Sequence, residues 1–149
     1  MILHPMRRSG AVITETALIL PLFLLLIFGM FDIGVGILRS QSLSHTARTA
    51  ARIAIVHGDL APNALGAWGP NTYGPTALSD SGPIATAVRS SLAGIDPLTV
   101  FLTIEWIDGS NHEENRVRVT LTHSYQPVTG YVIQTNLELR ASSTMYITH

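Results

Sequence analysis

The chain has 149 residues, nine basic and ten acidic, and its net charge of −1 leaves no basic surface for nucleic acid; the length holds one modest core with an appendage. Cysteine is absent, which excludes disulfides and thiolate metal sites. Hydrophobic residues make up 46% and charged ones 13%, with the apolar excess near the N-terminus, the pattern of a membrane segment followed by a soluble domain.

The first ten residues, MILHPMRRSG, carry Arg7 and Arg8 and end in Gly10. Sixteen uncharged residues, Thr16 to Phe31, then separate Glu15 from Asp32, and six more, Ile33 to Leu38, precede Arg39. As a helix, Ala17 to Leu38 would measure about 33 Å, enough for a hydrocarbon core of about 30 Å. Residues 1–10 therefore read as a leader and 11–38 as a transmembrane helix, in which Pro21 predicts a kink near the start. Arg7 and Arg8 favour a cytoplasmic N-terminus in a single-pass membrane protein with an extracytoplasmic C-terminal domain. Arg39, Arg48 and Arg52 flank the other end, so the orientation rests on the short leader rather than on an arginine count. An ordinary signal peptide would be cut at small residues after the apolar core. Gly34-Val35-Gly36 offers such a site, but Asp32 immediately before it fits badly.

The two acids stand out because a carboxylate in or beside a hydrocarbon layer calls for a partner. Glu15 either pairs with a cation of a neighbouring subunit or begins the helix near its positive end. Asp32 either packs between helices of an assembly or lies near enough to the outer interface to be wetted.

Beyond Arg39 the helix is expected to continue as an amphipathic stretch over 39–58. Leu43, Ala47, Ala50 and Ala54 recur at helical spacing, with Ala51 and Ile55 beside them, and Gly58 is the expected stop. That stripe is expected to pack on the chain's own domain. Residues 58–83 carry four prolines and five glycines and read as a surface loop, with Trp68 and Tyr73 covering their own domain. A short helix is expected over Ile84–Ala93. Three alternating runs follow, Leu98–Ile107, Arg116–Tyr125 and Leu137–Ile147, with a turn at Asp108-Gly109. The fold class is α+β: a long N-terminal helix, then an extracytoplasmic domain over 59–149 with a small antiparallel sheet and one short helix.

Catalytic chemistry finds little support. His112, Glu113 and Glu114 lie in a polar hairpin loop without a ligand-spaced partner, and no nucleophile elbow, phosphate loop or zinc-protease motif occurs. No cofactor, metal or catalytic residue is expected, and an enzyme is the least supported reading.

The segment ETALILPLFLLLIFGMFDIGVGILRSQSLSHTARTAARIAIVHG, Glu15 to Gly58, resembles the N-terminal part of TadE-like proteins, pilin-like components of the tight-adherence (Tad) pilus system. The shared features are a glutamate opening an apolar run with an early proline, a Phe-Gly pair followed by an acid, and an Ala/Arg-rich helix. NRVRVTLTHSYQPVTG and LELRASSTMYI also look like the family's closing strands, and Thr16 stands where members commonly carry an aromatic or aliphatic residue. The resemblance implies a pilin-like fold and cleavage between Gly10 and Ala11 by a prepilin peptidase, which makes Glu15 the fifth mature residue. It also implies the membrane, other pilin-like subunits and an inner-membrane assembly platform as partners, with Glu15 and Asp32 as assembly residues. The alternative is an unprocessed single-span anchor whose outer domain binds a ligand.

Overall fold

The computed structural model describes residues 9–130 and 136–148. The residues before Ser9, including Arg7 and Arg8 of the expected leader, lie outside the described residues.

One helix, α1, runs from Ser9 to Ile55 without interruption at Pro21, so the expected spanning and amphipathic segments form a single element. Its 47 residues reach about 70 Å. Buried positions begin at Asp32 and recur at Leu43, Thr46, Ala47, Ala50, Ala51 and Ala54, while residues 12–31 are exposed or half-buried. The expected small-residue stripe therefore does face the chain's own domain. Alanine there lets the helix backbone lie close to the sheet. α1 ends at Ile55, three residues before the expected stop, because its last carbonyls are taken by shorter bonds. Val56 and His57 donate to Ile53 and Ala54, and the Thr148 amide donates to the Ile55 carbonyl at 3.1 Å.

Four antiparallel strands follow in the order β1-β2-β3-β4: Tyr73–Ala77, Val100–Trp106, Arg116–Tyr125 and Leu137–Tyr146. The inner row pairs Leu102 with Leu121, Ile104 with Val119 and Trp106 with Val117. Across β3 and β4, Leu121 faces Ala141 and Val117 faces Met145. These residues close on α1 to form the core, together with Leu78, Val88 and Ile95.

β1 corrects the expectation of a structureless loop over 58–83. Proline and glycine hid it, yet at a sheet edge a proline is tolerated because only one side of the strand must pair. Gly74 is needed there: its φ is +93°, and a Cβ would lie 2.2 Å from the Leu102 carbonyl oxygen. Trp68 and Tyr73 are partly buried against the core, as expected.

The short helix α2 spans Pro83–Arg89, starting one residue earlier and stopping four earlier than expected. Proline suits the first helical position. The segment after it is drawn to α1, where the Thr46 hydroxyl donates to the Ser91 carbonyl at 3.1 Å and the Ser42 hydroxyl to the Ala93 carbonyl at 2.6 Å.

Candidate functional site

The functional geometry lies along α1. Gly10 and Glu15 stand in its exposed part, and Ala11 is helical in backbone. Between residues 12 and 31 the side chains are almost wholly apolar, and the most apolar 18-residue window of the helix has a mean hydropathy of 2.5. α1 is thus long and apolar enough to cross a membrane. Two of the few polar groups there are quenched locally, the Thr14 hydroxyl on the Gly10 carbonyl at 3.2 Å and the Thr16 hydroxyl on the Val12 carbonyl at 2.8 Å.

The structure does not bring the two acids together. Asp32 follows Glu15 by seventeen residues, about 25 Å along the helix. Its side chain is engaged within the chain. Asp32 is 8% exposed, and its carboxylate accepts four hydrogen bonds from the end of β3 and the turn after it. The Val128 amide donates at 2.7 Å, the Thr129 amide at 2.8 Å, the Thr129 hydroxyl at 2.6 Å and the Tyr125 hydroxyl at 3.2 Å. Pro127 supplies the bend and lacks an N–H of its own.

Two turns further along α1, Arg39 extends this polar seam. Its guanidinium lies over the Tyr125 ring, 4.6 Å from the centroid, and reaches His123 Nε2 at 3.1 Å. His123 Nδ1 faces the Thr99 carbonyl at 3.2 Å. A carbonyl can only accept, so Nδ1 carries the proton and Nε2 accepts from Arg39. Burial holds His123 below its ordinary pKa, and the nearby Arg39 charge adds to that against the opposing Thr99 bond. Asp32 was legible as an acid needing a partner, whereas Tyr125, Val128, Thr129, Arg39 and His123 were missed. The one signal pointing to them was QPVTG, a turn sequence with amides and a hydroxyl to spare.

At the far end of the head, Asp108 receives the Arg116 guanidinium at 2.6 and 3.1 Å and its amide at 2.8 Å, closing the β2–β3 hairpin. His112 pairs with Asp59. Among the described residues no group of three or more His, Asp or Glu is placed to hold a metal ion.

Comparison with known proteins concerns α1. Residues 10–52 match the family model of TadE-like proteins. No curated protein and no solved structure matches the chain. The TadE-like segment opens at Gly10, contains Glu15, Asp32 and Arg39, and closes within the buried alanine face. It thus takes in the exposed apolar part of α1 and most of the part that carries the head, and it stops before the first strand.

Proposed function

We propose that the chain is a minor pilin-like membrane subunit serving the assembly of a Tad-type pilus or secretion apparatus. The observation that carries this reading is the TadE-like match over residues 10–52, which opens at the glycine of a Gly-x4-Glu spacing on a protruding apolar helix. The mechanism is structural. α1 inserts in the inner membrane with its N-terminus cytoplasmic, and a prepilin peptidase removes residues 1–10. Cleavage after Gly10 gives Ala11 a new α-amino group, a basic group at the start of the helix. Glu15 of an incoming subunit pairs with that amine on a neighbour, an ion pair in a setting where an isolated carboxylate is costly. Asp32 serves assembly indirectly, by fixing the head on the helix that other subunits meet. The inner-membrane assembly platform is the remaining partner.

Intact mass and terminal sequencing of the protein from native membranes test this. The expected start is Ala11, reverting to Met1 or Ile2 when the prepilin peptidase is deleted, with Glu15→Ala blocking assembly but not cleavage. An uncut N-terminus in the presence of the peptidase overturns the processing step and leaves a single-span anchor with a binding head. A start at Ile37 means a secreted protein.

A further inference from the structure

We propose that the lip of the head, Pro127–Gly130, is itself inserted in the bilayer leaflet on the head's side, next to α1. This rests on the reading of α1 as a membrane span.

Depth is the first argument. The lip is bonded to Asp32, yet the apolar surface of α1 does not stop there. On the outward side Ile33 is 67% exposed, Ile37 53% and Leu38 67%, so the lipid-compatible surface runs six residues, about 9 Å, past the level at which the lip is held. Arg39 ends it. Its guanidinium, turned toward Tyr125 and His123, marks the level at which polar headgroups begin, with an aromatic ring beside it as is usual at a membrane boundary. A turn attached at Asp32 lies inward of that boundary.

The second argument is the hydrogen bonding of the turn. An unpaired backbone donor is costly at membrane depth, so a turn held there must have its amides taken up within the protein. Pro127 has no N–H, Val128 and Thr129 give theirs to Asp32, and Gly130 gives its own to the Pro127 carbonyl at 3.0 Å. The Thr129 hydroxyl also goes to Asp32. None of these four residues has an amide left to offer water. A turn facing solvent has no need of that, because water would serve each donor.

The third argument is the surface the lip presents. Val128 is 57% exposed and lines a hollow with Pro21, Leu24, Leu25 and Phe28, so it points down the bare apolar part of α1. On the other flank a groove of about 580 Å³ opens between Gly29, Ile33 and Ile37 of α1 and Leu137 and Leu139 of β4. Leu137 is 47% exposed there. The apolar surface of the helix and that of the head are continuous, and acyl chains are the occupant that already surrounds the former.

The absence of cysteine makes the test direct, since a single introduced thiol carries the only label. Val128→Cys, Leu22→Cys and Glu113→Cys are each labelled with an environment-sensitive fluorophore on the full chain. Each is reconstituted in phosphatidylcholine–phosphatidylglycerol vesicles and quenched by acyl-chain nitroxide lipids or by aqueous iodide. The expected result is that Val128→Cys follows Leu22→Cys, losing most of its emission to the nitroxide lipids and little to iodide, whereas Glu113→Cys at the far hairpin does the reverse. If Leu22→Cys is lipid-quenched while Val128→Cys responds to iodide, the lip lies in water and the proposal fails with the span intact. Protection of Val128→Cys from both quenchers means that protein covers it, which also overturns the proposal. If Leu22→Cys itself escapes the nitroxide lipids, the spanning reading fails and this one with it.

Discussion

Asp32 and Thr129 are joined twice, the Thr129 amide and hydroxyl reaching the same carboxylate oxygen at 2.8 and 2.6 Å. The pair ties a turn between β3 and β4 to a helix position 97 residues earlier in the chain. Asp32→Ala removes the acceptor and leaves two part-buried amides without it, whereas Asp32→Asn keeps one oxygen and adds N–H groups that face other donors. Amide hydrogen exchange of the full chain in nanodiscs reads this out. Val128 and Thr129 are expected to exchange about tenfold faster or more in Asp32→Ala, and less so in Asp32→Asn, with β2 unchanged, because a local opening frees the turn without unfolding the sheet. Unaltered protection at Val128 would show that the turn does not depend on Asp32.

His123 makes the head acid-sensitive. Its pKa in the fold lies below its ordinary value near 6.5, through burial first and the Arg39 charge in addition. The unfolded chain therefore binds more protons between the two values, and stability rises with pH across that window. The contribution is complete above about pH 6.5 and is lost as the pH falls toward the folded-state pKa. Protonation would place a hydrogen on Nε2 against the Arg39 guanidinium, 3.1 Å away. Urea midpoints of the full chain between pH 5 and 7.5 should slope upward, and His123→Gln should flatten that slope. Arg39→Met should raise the His123 pKa in an NMR titration. A titration unmoved by Arg39→Met would leave burial as the sole cause.

Much of this fold was written locally. Val117, Val119 and Leu121 alternate with Arg116, Arg118 and Thr120, and β3 occupies the expected residues because period-2 patterning is a property of neighbours. The buried stripe of α1 was legible for the same reason at period 3.6. β1 was not, since Gly74 and Pro75 are fixed by what lies beside them in space, the Leu102 carbonyl and an open edge. The partners of Asp32 were equally hidden. An apolar run containing an acid says that a partner is needed, but the donors come from the other end of the chain and share no periodicity with it.

The alanine face of α1 sets the distance between helix and sheet. Ala47, Ala50 and Ala51 are fully buried under the core strands. Ala50→Leu adds volume to a packed layer and should cost about 1–3 kcal/mol, while the same leucine at exposed Gln41 should change stability by less than about 0.5 kcal/mol. Denaturant titration of the two variants in detergent micelles compares them. Similar losses at both sites would mean that the helix, not its packing, responds to leucine.

Gly74 and Gly109 both hold positive φ, +93° and +70°, but only at Gly74 does a carbonyl oxygen occupy the space of a side chain. Gly109 has open space around its Cβ position. Gly109→Ala should therefore cost only the conformational penalty, roughly 1 kcal/mol, since alanine can enter that region under strain. Gly74→Ala meets the Leu102 oxygen at 2.2 Å as well, and the clash is relieved only by moving β1 away from β2. The expected loss is larger, roughly 1–3 kcal/mol, and localised. Exchange should accelerate at the Leu78 amide, which bonds to the Val100 carbonyl at 2.9 Å just past the strand, while β3–β4 amides stay protected. Equal losses at the two glycines would mean that β1 yields freely, so that the close approach of Gly74 to β2 has little part in holding the edge strand.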